Sequence, residues 1–170
     1  MVALSNLGCA ANDLFGAAVA IARSSEVILV GAPGTASNRV RWLERCRIFF
    51  IGSSSISCAC LSPQGSAALF ACNSSSTERG CSNAPFALLS PTDTGADGDL
   101  FGQSVAISDY STTVVVGSPG RLSSSGSAYV FSCDFGSLTC TAVGSVLRAP
   151  TPLSNGKFGA AVALSGDGTK

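Results

Sequence analysis

The chain has 170 residues, enough for one ordinary domain, and its ten basic and ten acidic side chains give a net charge of zero. This balance argues against an electrostatic contact with nucleic acid, and no apolar run reaches the roughly 18 residues of a membrane span. The chain has no histidine, which excludes Ser-His-Asp and Cys-His catalysis and every histidine-containing zinc site. We therefore expect no catalytic residues, no nucleic-acid partner and no direct insertion into a membrane.

Three stretches of the sequence begin alike. Residues 13–34, "DLFGAAVAIARSSEVILVGAPG", return at 99–120 as "DLFGQSVAISDYSTTVVVGSPG", and a third copy, "KFGAAVALSGDGTK", runs to the last residue. Measured between the phenylalanines, the unit is 86 residues long from Phe15 to Phe101 and 57 residues long from Phe101 to Phe158. Periods of this size are typical of propellers and solenoids.

Each complete unit predicts four short strands. In the first strand of the first unit, Val19 and Ile21 lie on one face, whereas Ala18 and Ala20 lie on the other. The same alternation of large and small side chains recurs in the other two units, which suits sheets stacked face to face. A sheet with apolar side chains on both faces needs a neighbouring sheet on each side. We predict strands near residues 15–22, 26–32, 66–72 and 86–90 in the first unit, and near 101–108, 113–118, 127–133 and 145–148 in the second.

The residues that recur form a motif in which Phe-Gly opens the first strand and Gly-Ala-Pro or Gly-Ser-Pro ends the second. They are Phe15, Gly16, Gly31, Ala32 and Pro33 in the first unit, Phe101, Gly102, Gly117, Ser118 and Pro119 in the second, and Phe158 and Gly159 in the third. This pattern resembles the FG-GAP repeats that build the β-propellers of integrin α-subunits and of many microbial surface proteins. The resemblance implies an all-β fold, a partial β-propeller with about two four-stranded blades and the first strand of a third.

The repeat divides the chain into four parts. Residues 1–12 correspond to the tail of a preceding blade, 13–91 to a first blade with an inserted loop at 35–64, 92–150 to a second blade, and 151–170 to the truncated start of a third. Propellers usually close with about four to eight blades. We therefore interpret the chain as a piece of a longer protein, without a signal peptide of its own, whose remaining blades are its partners.

Four of the eight cysteines recur at matched positions. Cys72 and Cys133 end the third strand of their units, and Cys81 and Cys140 come just before the fourth. Two antiparallel strands joined by a short loop bring such residues together, so we predict the disulfides Cys72–Cys81 and Cys133–Cys140 with Cα separations of about 4.4–6.8 Å. The alternative is free thiols in a reducing compartment; matched pairs in two units favour an extracellular or cell-surface location. The cysteines without an assigned partner are Cys9, Cys46, Cys58 and Cys60.

Calcium is implied by the resemblance, because integrin-type repeats often carry a site between the first and second strands. Here the two complete loops, 22–26 and 108–113, each offer one carboxylate, and the third loop offers only Asp167. Calcium takes six to eight oxygen ligands. We therefore expect plain turns, no metal and no cofactor, a departure from the integrin pattern that is similar to the calcium-free repeats of bacteria and single-celled eukaryotes.

The insertion at 35–64 replaces the five residues 121–125 of the second unit. The resemblance places this loop on the ligand face of a propeller, and tryptophan beside arginine is a common composition at contacts. Three interpretations stay open: a loop that binds a ligand, an elaborated loop without a ligand, or non-coding sequence retained by a gene-model error. The candidate ligand residues are Arg39, Arg41, Trp42, Arg45 and Arg47.

Three functions follow from these observations. The first is a non-catalytic extracellular module for adhesion, which recognises a protein or glycan of unknown identity. The second is the accessory propeller of a secreted hydrolase whose catalytic domain lies elsewhere, and the third is a structural repeat of a cell coat. The coding sequence on either side discriminates among them. Asn73 begins an "NSS" sequon, a candidate N-glycosylation site if the protein is secreted.

Overall fold

The computed structural model describes residues 14–22, 27–34, 64–73, 80–82, 84–109, 113–134 and 136–170. These residues form two antiparallel sheets and almost no helix, which confirms the all-β prediction. The first sheet, which we call blade 1, contains β1 (Ala18–Ala22), β2 (Val27–Ala32), β3 (Ser66–Asn73), β4 (Gly80–Cys81) and β5 (Ala87–Leu89). The second sheet, blade 2, contains β6 (Ser104–Ile107), β7 (Thr113–Ser118), β8 (Ser127–Asp134) and β9 (Thr139–Ala142), with the helical turn α1 (Arg121–Ser124) between β7 and β8.

The two blades have the same strand register. Gly31 lies opposite Ala18 and Ala67 in blade 1, and Gly117 occupies the same position in blade 2, opposite Ser104 and Ala128. From β1 to β4 in blade 1 and from β6 to β9 in blade 2, each strand pairs antiparallel with the next in sequence. In blade 1 the fourth position is shared by β4 and β5, which both pair with β3.

The blades pack face to face, as the alternation of side-chain size predicts. One face of each blade, which we call the large face, carries Val19 and Ile21 in blade 1 and Val105 and Ile107 in blade 2. The opposite, small face of blade 1 lies on the large face of blade 2. The main hydrophobic core of the described residues lies between them and includes Val27, Leu29, Leu69 and Leu89 from blade 1 and Val114, Val116, Tyr129 and Phe131 from blade 2.

The Phe-Gly pair forms the same tight turn in all three units. We call residues 14–17, 100–103 and 157–160 the FG turns; in each, the fourth residue donates its N–H to the carbonyl of the first over 3.0–3.1 Å. The glycines have φ of +89°, +93° and +81°. A hydrogen bond from the fourth residue to the first, with positive φ at the third residue, is the geometry of a type II turn. Because glycine adopts positive φ most easily, this turn explains why glycine follows phenylalanine.

The FG turn of one unit packs against the backbone of the preceding blade. A Cβ added to Gly31 would overlap the carbonyl oxygen of Gly102, and a Cβ added to Gly102 would overlap the carbonyl oxygen of Ser66. The same relation recurs one unit later, where Gly117 meets Gly159 and Gly159 meets Ser127. The Phe-Gly and Gly-Ala-Pro motifs are therefore two halves of one contact between consecutive units, and glycine is needed on both sides.

The third unit contacts blade 2 but does not form its predicted strand. Phe158 makes a parallel bridge to Gly126, as Phe101 does to Gly65, and Ser104 Oγ donates a hydrogen bond to the Gly159 carbonyl over 2.7 Å. Residues 159–164 nevertheless form no strand. In the other two units the first strand pairs with the second strand of the same unit.

Seven of the eight predicted strands overlap observed strands, and the helical turn lies outside all eight spans. The strand predicted at 145–148 is wrong. In blade 2 the fourth strand is instead β9, after which the N–H of Val143 donates to the carbonyl of Val130 and the chain bends at Gly144. Leu147 then makes a single antiparallel bridge to Ala128.

Both predicted disulfides are present. Each joins residues directly opposite each other, Cys72 with Cys81 and Cys133 with Cys140, so the second cysteine of each pair lies inside a strand and not before it. The Cα separations are 3.8 and 4.0 Å, shorter than predicted. Opposed residues of a non-hydrogen-bonded antiparallel pair lie closest together, and this position accounts for the short separations.

Alanine at the two equivalent glycines of the FG turns separates turn strain from contact between blades. We expect Gly16→Ala to lower the free energy of unfolding by about 1–2 kcal/mol, because its φ is positive but no atom of the described residues lies within 4 Å of the new Cβ. Gly102→Ala adds the overlap with Ser66 and should cost about 1–3 kcal/mol more. Urea unfolding followed by circular dichroism measures both; equal losses would contradict the contact.

Removing one disulfide should leave the fold but weaken it. The Cys133→Ala, Cys140→Ala double variant opens a loop with a sequence separation of seven residues, and we expect a loss of about 2–3 kcal/mol of unfolding free energy. Unfolding without reductant measures the loss, and peptide mapping without reduction should recover both pairs. Four free thiols at positions 72, 81, 133 and 140 in secreted protein would refute the pairing.

Candidate functional site

Residues 90–100, which we call the connector, join blade 1 to blade 2 and carry the main ion-pair network of the described residues. Arg121, at the start of α1, donates from Nη2 to Asp93 over 2.8 Å and from Nη1 to Asp99 over 3.1 Å. Arg148 donates to the same oxygen of Asp93 over 3.0 Å, and the Tyr129 hydroxyl donates to the other oxygen over 2.8 Å. One guanidinium thus holds two carboxylates of the connector.

Backbone groups complete this network. The carbonyl of Asp99 accepts from Ser118 Oγ over 2.7 Å and from the N–H of Gly120 over 3.0 Å, and its carboxylate accepts from the N–H of Ala96 over 2.7 Å. Arg121 also donates to the carbonyl of Thr94 over 2.6 Å. The connector is therefore fixed to the end of β7, immediately before the FG turn that contacts blade 1.

Burial and the neighbouring polar groups act in opposite directions on the pKa of Asp93. Burial raises the pKa of Asp93, but hydrogen bonds from Arg121 and Tyr129 and the positive charge of Arg121 outweigh it, so the pKa lies below its ordinary value. Burial, followed by the hydrogen bond to Asp93, raises the pKa of Tyr129 to about 12. The carboxylate, the guanidinium and the phenol thus keep their ordinary charges at neutral pH, and the network is a structural one.

This network was not predicted from the sequence. Asp93 and Asp99 lie more than 20 positions before Arg121, and the third unit has no aspartate in the corresponding segment 149–157. The repeat therefore gave no signal for it. The one indication in the sequence was its low content of charged residues. Only 12% of the residues are charged, and four of these side chains meet in this network.

The insertion ends beside this junction. The carbonyl of its last residue, Gln64, accepts a hydrogen bond from the N–H of Phe101 over 2.8 Å. The side chain of Gln64 lies against Gly95 of the connector. In the second unit Ser125 occupies the equivalent position and accepts the N–H of Phe158 over 2.8 Å. The candidate ligand residues at 39–47 lie outside the described residues.

Of the remaining predicted sites, the third loop and Asn73 fall within the described residues. In the third loop, Asp167 accepts hydrogen bonds from Ser165 Oγ over 2.5 Å and from the N–H and the hydroxyl of Thr169 over 3.1 and 2.9 Å. These bonds lower the pKa of Asp167 and make it the cap of a turn. Asn73 ends β3. Within the described ranges, no three acidic, cysteine or histidine residues group as metal ligands do. Four cysteines and parts of two loops that the sequence analysis named lie outside the described residues: Cys9, Cys46, Cys58 and Cys60, and the loops 22–26 and 108–113.

Comparison with known families agrees with this geometry. Residues 87–131 match a family model described as FG-GAP repeat. The match extends from β5 into β8 and includes the FG turn, the Gly-Ser-Pro end of β7 and Arg121. This part of the chain is therefore similar to an FG-GAP repeat, and the two antiparallel sheets are consistent with the blades of a β-propeller. No curated protein matches the chain.

The electrostatic part of the network is testable by pH. Asp93→Asn should lower the free energy of unfolding by about 1–3 kcal/mol at pH 7, because Arg121 and Tyr129 lose a charged partner. The folded-state pKa of Asp93 is depressed, so its contribution is full above the unfolded-state value of about 4 and disappears as the pH falls through the folded-state value. The deficit of the variant should therefore shrink between pH 7 and pH 2.5 in urea unfolding.

Asp97→Asn is the matched control, since this carboxylate is exposed and lies in the same connector. We expect a change within about 0.5 kcal/mol for this surface substitution. A deficit of Asp93→Asn that is the same at both pH values would contradict the charged role of Asp93.

Proposed function

We propose that this chain is a non-catalytic binding module of an extracellular or cell-surface β-propeller protein, and that it recognises a protein or glycan through the insertion at 35–64. The observation that carries the proposal is the position of the insertion. Its last residue is bonded to the FG turn of blade 2, and its base lies beside the ion-pair network. A loop on a rigid base is the usual arrangement of recognition sites.

The composition of the insertion supports binding. It holds the sole tryptophan of the sequence and four of its ten basic residues, although it contributes only 30 of 170 residues. Tryptophan and arginine are the side chains most enriched among residues that dominate binding energy. The basic charge favours an acidic protein surface or an anionic glycan as the ligand.

The extracellular assignment is supported by the disulfides. The pairs Cys72–Cys81 and Cys133–Cys140 recur at equivalent positions in two blades, and disulfides persist in oxidising compartments. The sequon at Asn73 fits the same location. Within the described part of the chain, no helix has the length and apolarity needed to cross a bilayer.

The sequence itself supplies the comparison variant for a binding experiment. The five residues 121–125, "RLSSS", connect the same two strand positions in blade 2, so they can replace residues 35–64 without altering either end. Secreted chains with and without the replacement would be applied to an array of sulfated and sialylated glycans and to a panel of immobilised matrix proteins. We expect the unaltered chain to bind at least one surface and the replaced chain to lose at least tenfold in affinity.

A charge variant with serine at residues 39, 41, 45 and 47 separates sequence from loop length. It should lose binding as the replaced chain does, while its unfolding midpoint stays unchanged. Equal binding by all three chains, or binding by none, would contradict the proposal.

A further inference from the structure

The disulfides of the two blades differ in burial. In Cys72–Cys81, the blade 1 disulfide, both cysteines are partly exposed, and neither belongs to a hydrophobic cluster of the described residues. In Cys133–Cys140, the blade 2 disulfide, Cys133 is 1% exposed and forms part of the core between the blades, and Cys140 packs against that core. A reagent in solution can therefore approach both residues of the first pair but only one residue of the second.

The strand pairing around the two disulfides differs as well. The blade 2 disulfide lies among four residue pairs of β8 and β9, and the N–H of Val143 extends this ladder by donating to the carbonyl of Val130 over 2.9 Å. The blade 1 disulfide lies among two residue pairs of β3 and β4, next to a hydrogen bond from the N–H of Ser82 to the carbonyl of Ala71 over 2.8 Å. Among the described strands, β4 pairs only with β3. Few hydrogen bonds therefore assist the blade 1 disulfide in holding β4.

We propose that the blade 1 disulfide is a site of thiol–disulfide exchange, which a dithiol opens while the blade 2 disulfide stays closed and both sheets stay folded. A thiolate of the dithiol attacks the sulfur of Cys72 or Cys81 and forms a mixed disulfide, and the other cysteine leaves as a thiolate and takes up a proton. The second thiol of the reductant, after losing its proton, attacks the mixed disulfide. The reductant thereby gives up two electrons and becomes a disulfide, and both cysteines become thiols.

The burial of Cys133 opposes the same reaction in blade 2. Its side chain is covered by the core, so a reductant has no access to its sulfur. Attack at Cys140 would expel the sulfur of Cys133 as a thiolate among apolar side chains, and an unpaired charge is unfavourable there. In blade 1 the departing thiolate belongs to a partly exposed residue whichever sulfur is attacked.

Reduction of the blade 1 disulfide frees β4 but leaves the rest of the sheet in place. β5 pairs with β3 through residues 67–69, away from the disulfide, and the N–H of Phe86 donates to the carbonyl of Leu69 over 2.9 Å. Leu69 and Leu89 are buried in the core between the blades. The opening is therefore confined to residues 71–73 and 80–82, so exchange alters one edge of blade 1 without separating the blades.

Reduction of the full chain by dithiothreitol tests the proposal. Samples taken over time are alkylated with iodoacetamide and mapped by peptide, which reports each cysteine separately. We expect Cys72 and Cys81 to be labelled at least about tenfold faster than Cys133 and Cys140. Equal rates, or faster labelling of the blade 2 pair, would overturn the proposal.

The dependence on urea distinguishes local exchange from unfolding of the chain. Below the unfolding transition, labelling of the blade 1 pair should keep one rate, because the disulfide is accessible in the folded state. Labelling of the blade 2 pair should accelerate with urea, because it requires a wider opening. A blade 1 pair that is reduced only when the chain unfolds would contradict the proposal.

Two matched double variants leave one disulfide each. Cys133→Ala with Cys140→Ala keeps the blade 1 disulfide, and Cys72→Ala with Cys81→Ala keeps the blade 2 disulfide. Each remaining disulfide should be reduced at the rate that it has in the unaltered chain, and circular dichroism checks that both variants are folded. Rapid reduction of the blade 2 disulfide in the second variant would contradict its protection by the core.

Hydrogen exchange after reduction shows how far the opening extends. The amide of Ser82 should lose its protection, because its bond to Ala71 lies beside the opened disulfide. The amide of Phe86 is the control and should stay protected, because its bond to Leu69 lies beside β5. Loss of protection at both amides would show that the sheet itself opens and would overturn the proposal, and so would protection retained at both.

Discussion

The contact of an FG turn with the backbone of the preceding blade is the constraint on which the rest of the structure depends. At Gly31 and Gly102 the main chains of two blades approach so closely that any side chain would collide with a carbonyl oxygen. This approach brings the small face of one blade into contact with the large face of the next. The close packing of the hydrophobic core between the blades therefore requires that these two backbone positions lack a Cβ.

The connector complements this contact with polar bonds. Arg121 binds two carboxylates of the connector, and the Asp99 carbonyl is bonded to the end of β7, so the chain enters the FG turn from a fixed point. Removing a single partner from such a network leaves a charge with fewer bonds in a mostly buried place. The network thus fixes the direction of the chain between the blades, whereas the apolar faces form the hydrophobic core between them.

What repeats along the chain was predictable, and what occurs once was not. Phe15 and Phe101 open equivalent units, and the alternation after them predicted stacked sheets because side-chain size alone decides which faces fit together. The disulfides were predictable for the same reason. The network around Arg121 has no counterpart in the third unit, and the fourth strand of blade 2 was misplaced because β9 is polar and exposed, with no apolar alternation to mark it.

The site of the insertion was predictable from the length difference between the units, but its structural setting was not. Sequence alone did not indicate that Gln64 would bond to Phe101 or lie against Gly95, because both contacts cross from one blade to the next. Such contacts depend on the approach of two main chains, which a pattern of side-chain types describes only indirectly.

The same setting makes the loop before β3 a permissive position for foreign sequence. Thirty residues occupy it in the first unit and five in the second, yet the strands on either side keep one register. Loop-closure entropy rises only with the logarithm of length, so the difference between five and thirty residues costs about 1.6 kcal/mol. A peptide epitope or a small folded domain inserted after Gly120 would face the same modest cost, provided that Arg121 is kept for the connector. The repeat would then serve as a display scaffold whose framework tolerates cargo of very different lengths.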